Sequence, residues 1–187
     1  MRKIAIIGLG EPNRKDAPWD DAEWELWGLP WDDEGYFKFQ AAFDLHDYYL
    51  HTKPEAGLRK DYTERLCEFP GRLFMQKNYP EVPNSRAYPL QGVISAIGAD
   101  YFNSGPSYAM GMAIAALPAE IGLWGLYMAK GTEWAVQRPN MEYLIGIARG
   151  KGITVTIPDD SPLCKFDGEG IPLGSMYPEY KERYGYL

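Results

Sequence analysis

Two consecutive stretches decide the fold: Ser104-Gly-Pro-Ser-Tyr-Ala-Met-Gly-Met-Ala-Ile-Ala-Ala-Leu117 and, right after it, Glu120-Ile-Gly-Leu-Trp-Gly-Leu126. The first predicts a helix, with Asn103 or Ser104 as N-cap and Pro106 in the first turn, where its missing N–H costs nothing. Its residues are small and apolar all round, so the helix is expected to lie buried between a sheet and a neighbour. The second is a short apolar run with glycine breaks and predicts a strand. Downstream, Pro139-Asn-Met-Glu-Tyr-Leu-Ile-Gly-Ile-Ala-Arg149 predicts a helix that opens on proline and stops before Gly150, and Lys151-Gly-Ile-Thr-Val-Thr-Ile-Pro158 predicts a strand. Helix, strand, helix, strand is the logic of parallel pairing with right-handed crossovers.

Outward from there, Lys3-Ile-Ala-Ile-Ile-Gly8 is a continuous apolar run closed by glycine, the pattern of a strand buried on both faces. A polar loop over 9–16 follows, then a second strand over 23–29 ended by Pro30 and a third over 38–46. A helix is expected over 55–67 and a short fourth strand over 72–76. Pro80, Pro83 and Pro89 punctuate a surface loop ahead of a brief helix over 90–97. The expectation is a Rossmann-like α/β fold, a mostly parallel open sheet of about six strands with helices on both faces. Residues 1–164 read as one domain; 165–187, rich in Gly, Pro and Tyr, read as a tail that packs on the domain or on a partner subunit. That tail and the apolar helices are compatible with a homodimer.

Composition narrows the function. The chain has 187 residues, 45% of them apolar, and no run approaches the roughly 18 apolar residues of a membrane span. Met1-Arg2-Lys3 leads into a run too short for a signal-peptide core, so a cytoplasmic location is expected and no membrane partner. Cys67 and Cys164 show no metal-ligand spacing and fit reduced thiols. A net charge of -7 argues against general nucleic-acid binding, which needs clustered Lys and Arg. A small anion needs only a local positive pocket.

In an open parallel sheet, ligands bind beyond the carboxyl ends of the strands. Past the first strand lie Gly8, Gly10, Glu11 and Asn13; the third ends in Asp44-Leu-His46; past the fifth come Tyr127, Met128, Thr132 and Glu133. Gly8-Leu9-Gly10 is half of a dinucleotide fingerprint, but Asn13 stands where the third glycine belongs, which argues against a standard NAD site. The pair reads either as a tight turn or as a close backbone approach to a phosphate or ribose. Asn103, Ser104 and Ser107 couple small polar side chains to a helix start, whose free N–H groups and dipole suit an anion. His46 is the best general base on this rim, though a histidine closing a strand is as often structural. Arg138 could grip a phosphate or carboxylate, or pair with Glu142 four residues on. Neither a metal nor an organic cofactor is called for, since His46 and His51 lack the spacing of a metal pair.

The segments Ile4–Gly10, Trp24–Leu29, Phe43–His46, Tyr101–Met128, Glu133–Gly146 and Ile157–Ser161 together resemble a family of uncharacterised proteins common in tailed-phage genomes. The most specific part is Glu133-Trp-Ala-Val-Gln-Arg-Pro139, and the location this implies is the host cytoplasm. More distantly, the small-residue helix and the strand ending Gly125-Leu-Tyr-Met128 resemble the nucleotide-binding half of bacterial sialyltransferase-like glycosyltransferases. That resemblance implies a nucleotide or nucleotide-sugar ligand. It also shows two departures: Pro30 stands where Asn is expected, and Tyr127 where the pattern has Asp to hold a ribose or metal.

Three functions stay open on the residues. A glycosyltransferase-like enzyme would place phosphate at 103–107 and the nucleoside at Gly8–Asn13, with His46 as base. A nucleoside N-glycosidase or deoxyribosyltransferase would use Glu133 against an anomeric carbon. A non-catalytic phage accessory protein would sequester a nucleotide or bind a host protein, which the aromatic excess of 6 Trp and 14 Tyr also suits.

Overall fold

The computed structural model describes residues 2–11, 13–53, 61–128 and 133–165, and of His51, Glu133 and Trp134 the backbone alone. Seven strands form one sheet: β1 (Lys3–Ile7), β2 (Trp24–Gly28), β3 (Ala41–Asp44), β4 (Arg72–Met75), β5 (Ser85–Ala87), β6 (Glu120–Trp124) and β7 (Thr154–Thr156). Their spatial order is β5-β4-β3-β2-β1-β6-β7, and every neighbouring pair is parallel. The α/β open sheet expected from the sequence is therefore present.

Burial on both faces explains the unbroken apolar run of β1. Ile4 and Ile6 point into a core covered by α3 (Leu90–Ile97), α4 (Gly105–Ala115) and α5 (Arg138–Gly150). Ala5 and Ile7 point the other way, into a second core built on α1 (Tyr48–His51), α2 (Tyr62–Glu68) and the aromatic residues Tyr36, Phe39 and Phe69. Alternation by residue does the sorting. In β3 it sends Phe43 to the α4 side, and Ala42 to the α2 side.

The small residues of α4 let it lie flat across β1, β2 and β3. Gly111 is one point where size is decisive, because a Cβ there would sit 2.5 Å from the Phe102 ring. Ser104 caps the helix and Pro106 falls in its first turn, as the sequence predicts.

Starting from β1, the chain steps outward through β2, β3, β4 and β5, then crosses back to lay β6 on the opposite edge of β1. The reversal lies between β1 and β6. Loops leaving adjacent strands in opposite directions open a crevice at their carboxyl ends, and that is where such a fold binds its ligand.

The sequence expectations differ from the structure in detail. The proline-punctuated loop holds a seventh strand: β5 pairs in parallel with β4 through Leu73↔Ser85 and Met75↔Ala87. It is an edge strand, where flanking prolines cost no ladder hydrogen bonds. The third strand is shorter than 38–46, because Lys38 and Phe39 donate their N–H groups back to Gly35 O and so belong to a turn. The helix expected over 55–67 is observed at Tyr62–Glu68, while residues 54–60 and the tail from 166 onward lie outside the described residues. No helix among the described residues is long and apolar enough to cross a membrane.

Candidate functional site

The crevice at the switch point is a cavity of about 500 Å³, within the range of small-molecule sites. One wall is the paired loops after β1 and β6. Gly8 N donates to Trp124 O (2.9 Å) and Gly10 N to Gly125 O (2.8 Å), so the ladder continues past both strand ends. Gly125 has φ +65°, and a Cβ on it would lie 2.5 Å from Gly8 O. The glycines thus serve a close backbone approach, leaving a wall made of main chain with Leu9, Leu126 and Tyr127 around it.

The second wall is the start of α4. Ser107 Oγ accepts from the N–H groups of Asn103 (3.1 Å) and Ser104 (3.0 Å), while Ser104 Oγ accepts from Ser107 N (3.3 Å). This reciprocal cap engages three amides and leaves that of Gly105 outside it. Asn103, Ser104, Gly105 and Pro106 line the cavity. Ser107 does not: it is fully buried, and its hydroxyl is committed to the cap. Its place in the sequence suggested ligand contact, but its hydroxyl holds the wall from behind.

The third wall carries the titratable group. His46 follows β3 and lines the cavity beside Trp31, Leu29 and Leu45. Asp44 Oδ1 accepts from the His46 backbone N–H (3.2 Å), an Asx-type closure over two residues, and lies in hydrogen-bond contact with ring Nδ1 (2.7 Å). The carboxylate itself is fully buried, and its Oδ2 accepts from the Tyr62 hydroxyl on α2. Trp31 packs against both neighbours, with ring centroids 5.7 Å from His46 and 6.0 Å from Tyr62. The ring hydrogen bond to Asp44 raises the His46 pKa above its ordinary 6.5, outweighing the opposing effect of burial. Burial raises the Tyr62 pKa, with the Asp44 charge adding to it, so Tyr62 stays a donor at ordinary pH.

The structure therefore brings Gly8, Gly10, His46, Asn103, Ser104 and Tyr127 to one cavity. Two other residues expected to touch a ligand are not in the cavity lining and bond to protein groups. Asn13 is 3% exposed: it donates to Asp160 Oδ1 (2.9 Å) and accepts from Gly125 N (2.7 Å), which ties the β6 loop to the loop after β7. Arg138 is 6% exposed and pairs with Glu142 (2.7 Å), the helix pair that was the alternative reading. Glu133 opens the short 3-10 turn Glu133–Gln137, and its side chain lies outside the described residues. Gln137, which closes that turn, lines the cavity.

Sequence reasoning missed Trp31, Tyr108 and Gln137 as lining residues, and Tyr62 as the partner of Asp44. Trp31 could have been found by carrying the strand-end rule past Pro30. Nothing local to Tyr62 announces it, because its contact depends on how α2 packs.

Solved structures supply a comparison for this arrangement. The chain superposes on the sialyltransferase CstII from Campylobacter jejuni, in complex with the substrate analogue CMP-3FNeuAc, with a TM-score of 0.54 at 16% identity; 94% of this chain and 86% of that chain are covered. Its fold is similar to that of a sialyltransferase. A mutant described as alpha-2,3/8-sialyltransferase CstII matches with a TM-score of 0.50 at 13% identity, over 93% of this chain and 87% of that one. At these identities the likeness is one of fold. No protein-family model and no curated protein sequence matches the chain.

Chemically, the site offers backbone amides and a helix N-terminus suited to an anion, aromatic surface, and one imidazole held by a buried carboxylate. Among the described residues, no group of three or more His, Cys, Asp or Glu is placed to hold a metal ion.

Proposed function

We propose that the chain is a glycosyltransferase-like protein that binds a nucleotide-sugar in this cavity, with His46 as general base. The observation that carries the reading is the convergence of the Gly8–Gly10 turn, the start of α4 and the Asp44-held His46 on one crevice at the switch point. The nucleoside lies along the glycine turn, and the phosphate faces the Gly105 amide and the positive end of the α4 dipole. The similar fold of an enzyme whose structure holds CMP-3FNeuAc supports a CMP-sugar as the first donor to try.

In the reaction, an acceptor hydroxyl gives up its proton to His46 Nε2, and its electron pair forms the new bond to the anomeric carbon. The bond from that carbon to the phosphate oxygen breaks, and its pair leaves on the nucleotide. His46 Nδ1–H stays on Asp44 throughout, which supports the imidazolium as it forms.

The test is a thermal-shift screen of nucleotides and nucleotide-sugars, followed by a transfer assay on the stabilising compounds. A donor at 100 times its dissociation constant adds about 2.7 kcal/mol of stability. In the transfer assay His46→Ala is expected to lose about 100-fold or more in kcat. Absence of any stabilising nucleotide-sugar overturns the reading.

A further inference from the structure

The sequence Asp44-Leu45-His46 has a partner that sequence spacing cannot show. Alternation along β3 points Asp44 away from α4 and into the core on the α2 side, where Tyr62 waits at the first position of that helix. Asp44 is fully buried, and both of its oxygens are engaged: Oδ1 by the backbone and ring of His46, Oδ2 by the Tyr62 hydroxyl. Tyr62 is itself 7% exposed and stacks on Tyr48, with centroids 6.2 Å apart, so its hydroxyl has little freedom to leave. The His46 side chain, in contrast, is 52% exposed and reaches the cavity. A buried, doubly held carboxylate therefore grips one nitrogen of a ring whose other end belongs to the site.

We infer that Asp44 and Tyr62 are positioning residues: Tyr62 fixes the carboxylate, and the carboxylate fixes His46 as the Nδ1–H tautomer with Nε2 as the nitrogen that exchanges protons at the cavity. A neutral imidazole carries one proton, and the nitrogen hydrogen-bonded to a carboxylate is the one that keeps it. Without Asp44, the neutral ring loses the carboxylate that fixes its proton, and only one of its two tautomers presents a basic nitrogen to the site. This inference rests on the proposed role of His46 for its use in catalysis, though the tautomer is a property of the free protein.

The experiment is nitrogen-15 NMR of the imidazole rings in the full chain, titrated from about pH 5 to about pH 9. The chain has two histidines, so His51→Gln assigns the spectrum. The unaltered protein should show neutral His46 as the Nδ1–H tautomer, titrating above 6.5. Neutral His46 protonated on Nε2 overturns the proposal, and this reading needs no variant of the buried residues. Asp44→Asn should bring mixed tautomers and a midpoint lowered to the ordinary imidazole range or below; a tautomer and midpoint unchanged by that substitution overturn it as well. Tyr62→Phe, which keeps the ring packing, should leave the fold intact and loosen the tautomer preference. In the transfer assay, Asp44→Asn should lower kcat with the donor KM changed less than about two-fold, as expected of a residue acting through the base. Loss of the proposed transferase activity with the NMR result intact would separate failure of the function from failure of this inference.

Discussion

Gly8 and Gly125 face each other across the switch point with no room for a side chain on either: a Cβ on Gly125 would lie 2.5 Å from Gly8 O, and a Cβ on Gly8 would lie 2.5 Å from Gly125 O. The obstructing atoms are backbone, so neither position can relax by turning a rotamer. Gly125 also needs its left-handed φ of +65°. Gly125→Ala is expected to cost about 2–4 kcal/mol, from positive φ and overpacking together. Gly146 is the control. It lies on the exposed face of α5 with nothing within 4 Å of a built Cβ, so Gly146→Ala should stabilise by about 0.5–1 kcal/mol. Chemical denaturation of the two variants measures both.

Asn13 holds the same wall from below. Asn13→Ala removes its bonds to Asp160 and to the Gly125 amide, leaving that amide without the acceptor it has now. The expected loss is about 1–3 kcal/mol. Asn13→Asp keeps the acceptor but sets a carboxylate against Asp160. Its loss should therefore shrink as the pH falls into the carboxylate range, a trend that denaturation at several pH values would reveal.

Ser107 is buried, and its hydroxyl serves three groups at the start of α4. Ser107→Ala should destabilise by about 1–2 kcal/mol through the lost cap. It should also weaken nucleotide-sugar binding without touching the ligand, because the Asn103–Gly105 wall loses its hold. Calorimetric titration alongside thermal melting separates the two effects.

The pH dependence of stability follows from the His46–Asp44 bond. The folded-state pKa of His46 lies above the unfolded 6.5, so the protonated ring stabilises the fold. That contribution is fully present below pH 6.5 and is lost as the pH rises through the folded pKa. The stability difference between wild type and His46→Gln should thus narrow from acidic to alkaline pH. A gap that widens instead would contradict the assignment of Asp44 as the ring's partner.

Much of this was legible in the residues themselves. The apolar run of β1, the capped small-residue helix and the strand that follows gave the parallel α/β class. The strand-end rule then pointed to Gly8, Gly10, His46, Asn103, Ser104 and Tyr127. What remained hidden had physical reasons. Three residues of β5 among prolines leave too little periodicity to read. Asn13 and Arg138 are polar residues near the rim, and spacing cannot show that the first ties two loops together and the second pairs along its own helix. Tyr62 meets Asp44 only through the packing of α2 on the sheet, a contact set by tertiary structure.

The proposed activity requires that the cavity at the switch point bind a nucleotide-sugar. Its most direct test is a two-dimensional amide NMR titration with nucleotide-sugars, led by CMP-sialic acid. Gly8, Gly10, Gly105 and Gly125 line the cavity, while Gly98, Gly150 and Gly152 sit at helix ends and turns away from it. Saturable shifts of the first four amides are expected, with the last three unmoved. Shifts confined to other residues, or no saturable shift with any nucleotide-sugar, would contradict it.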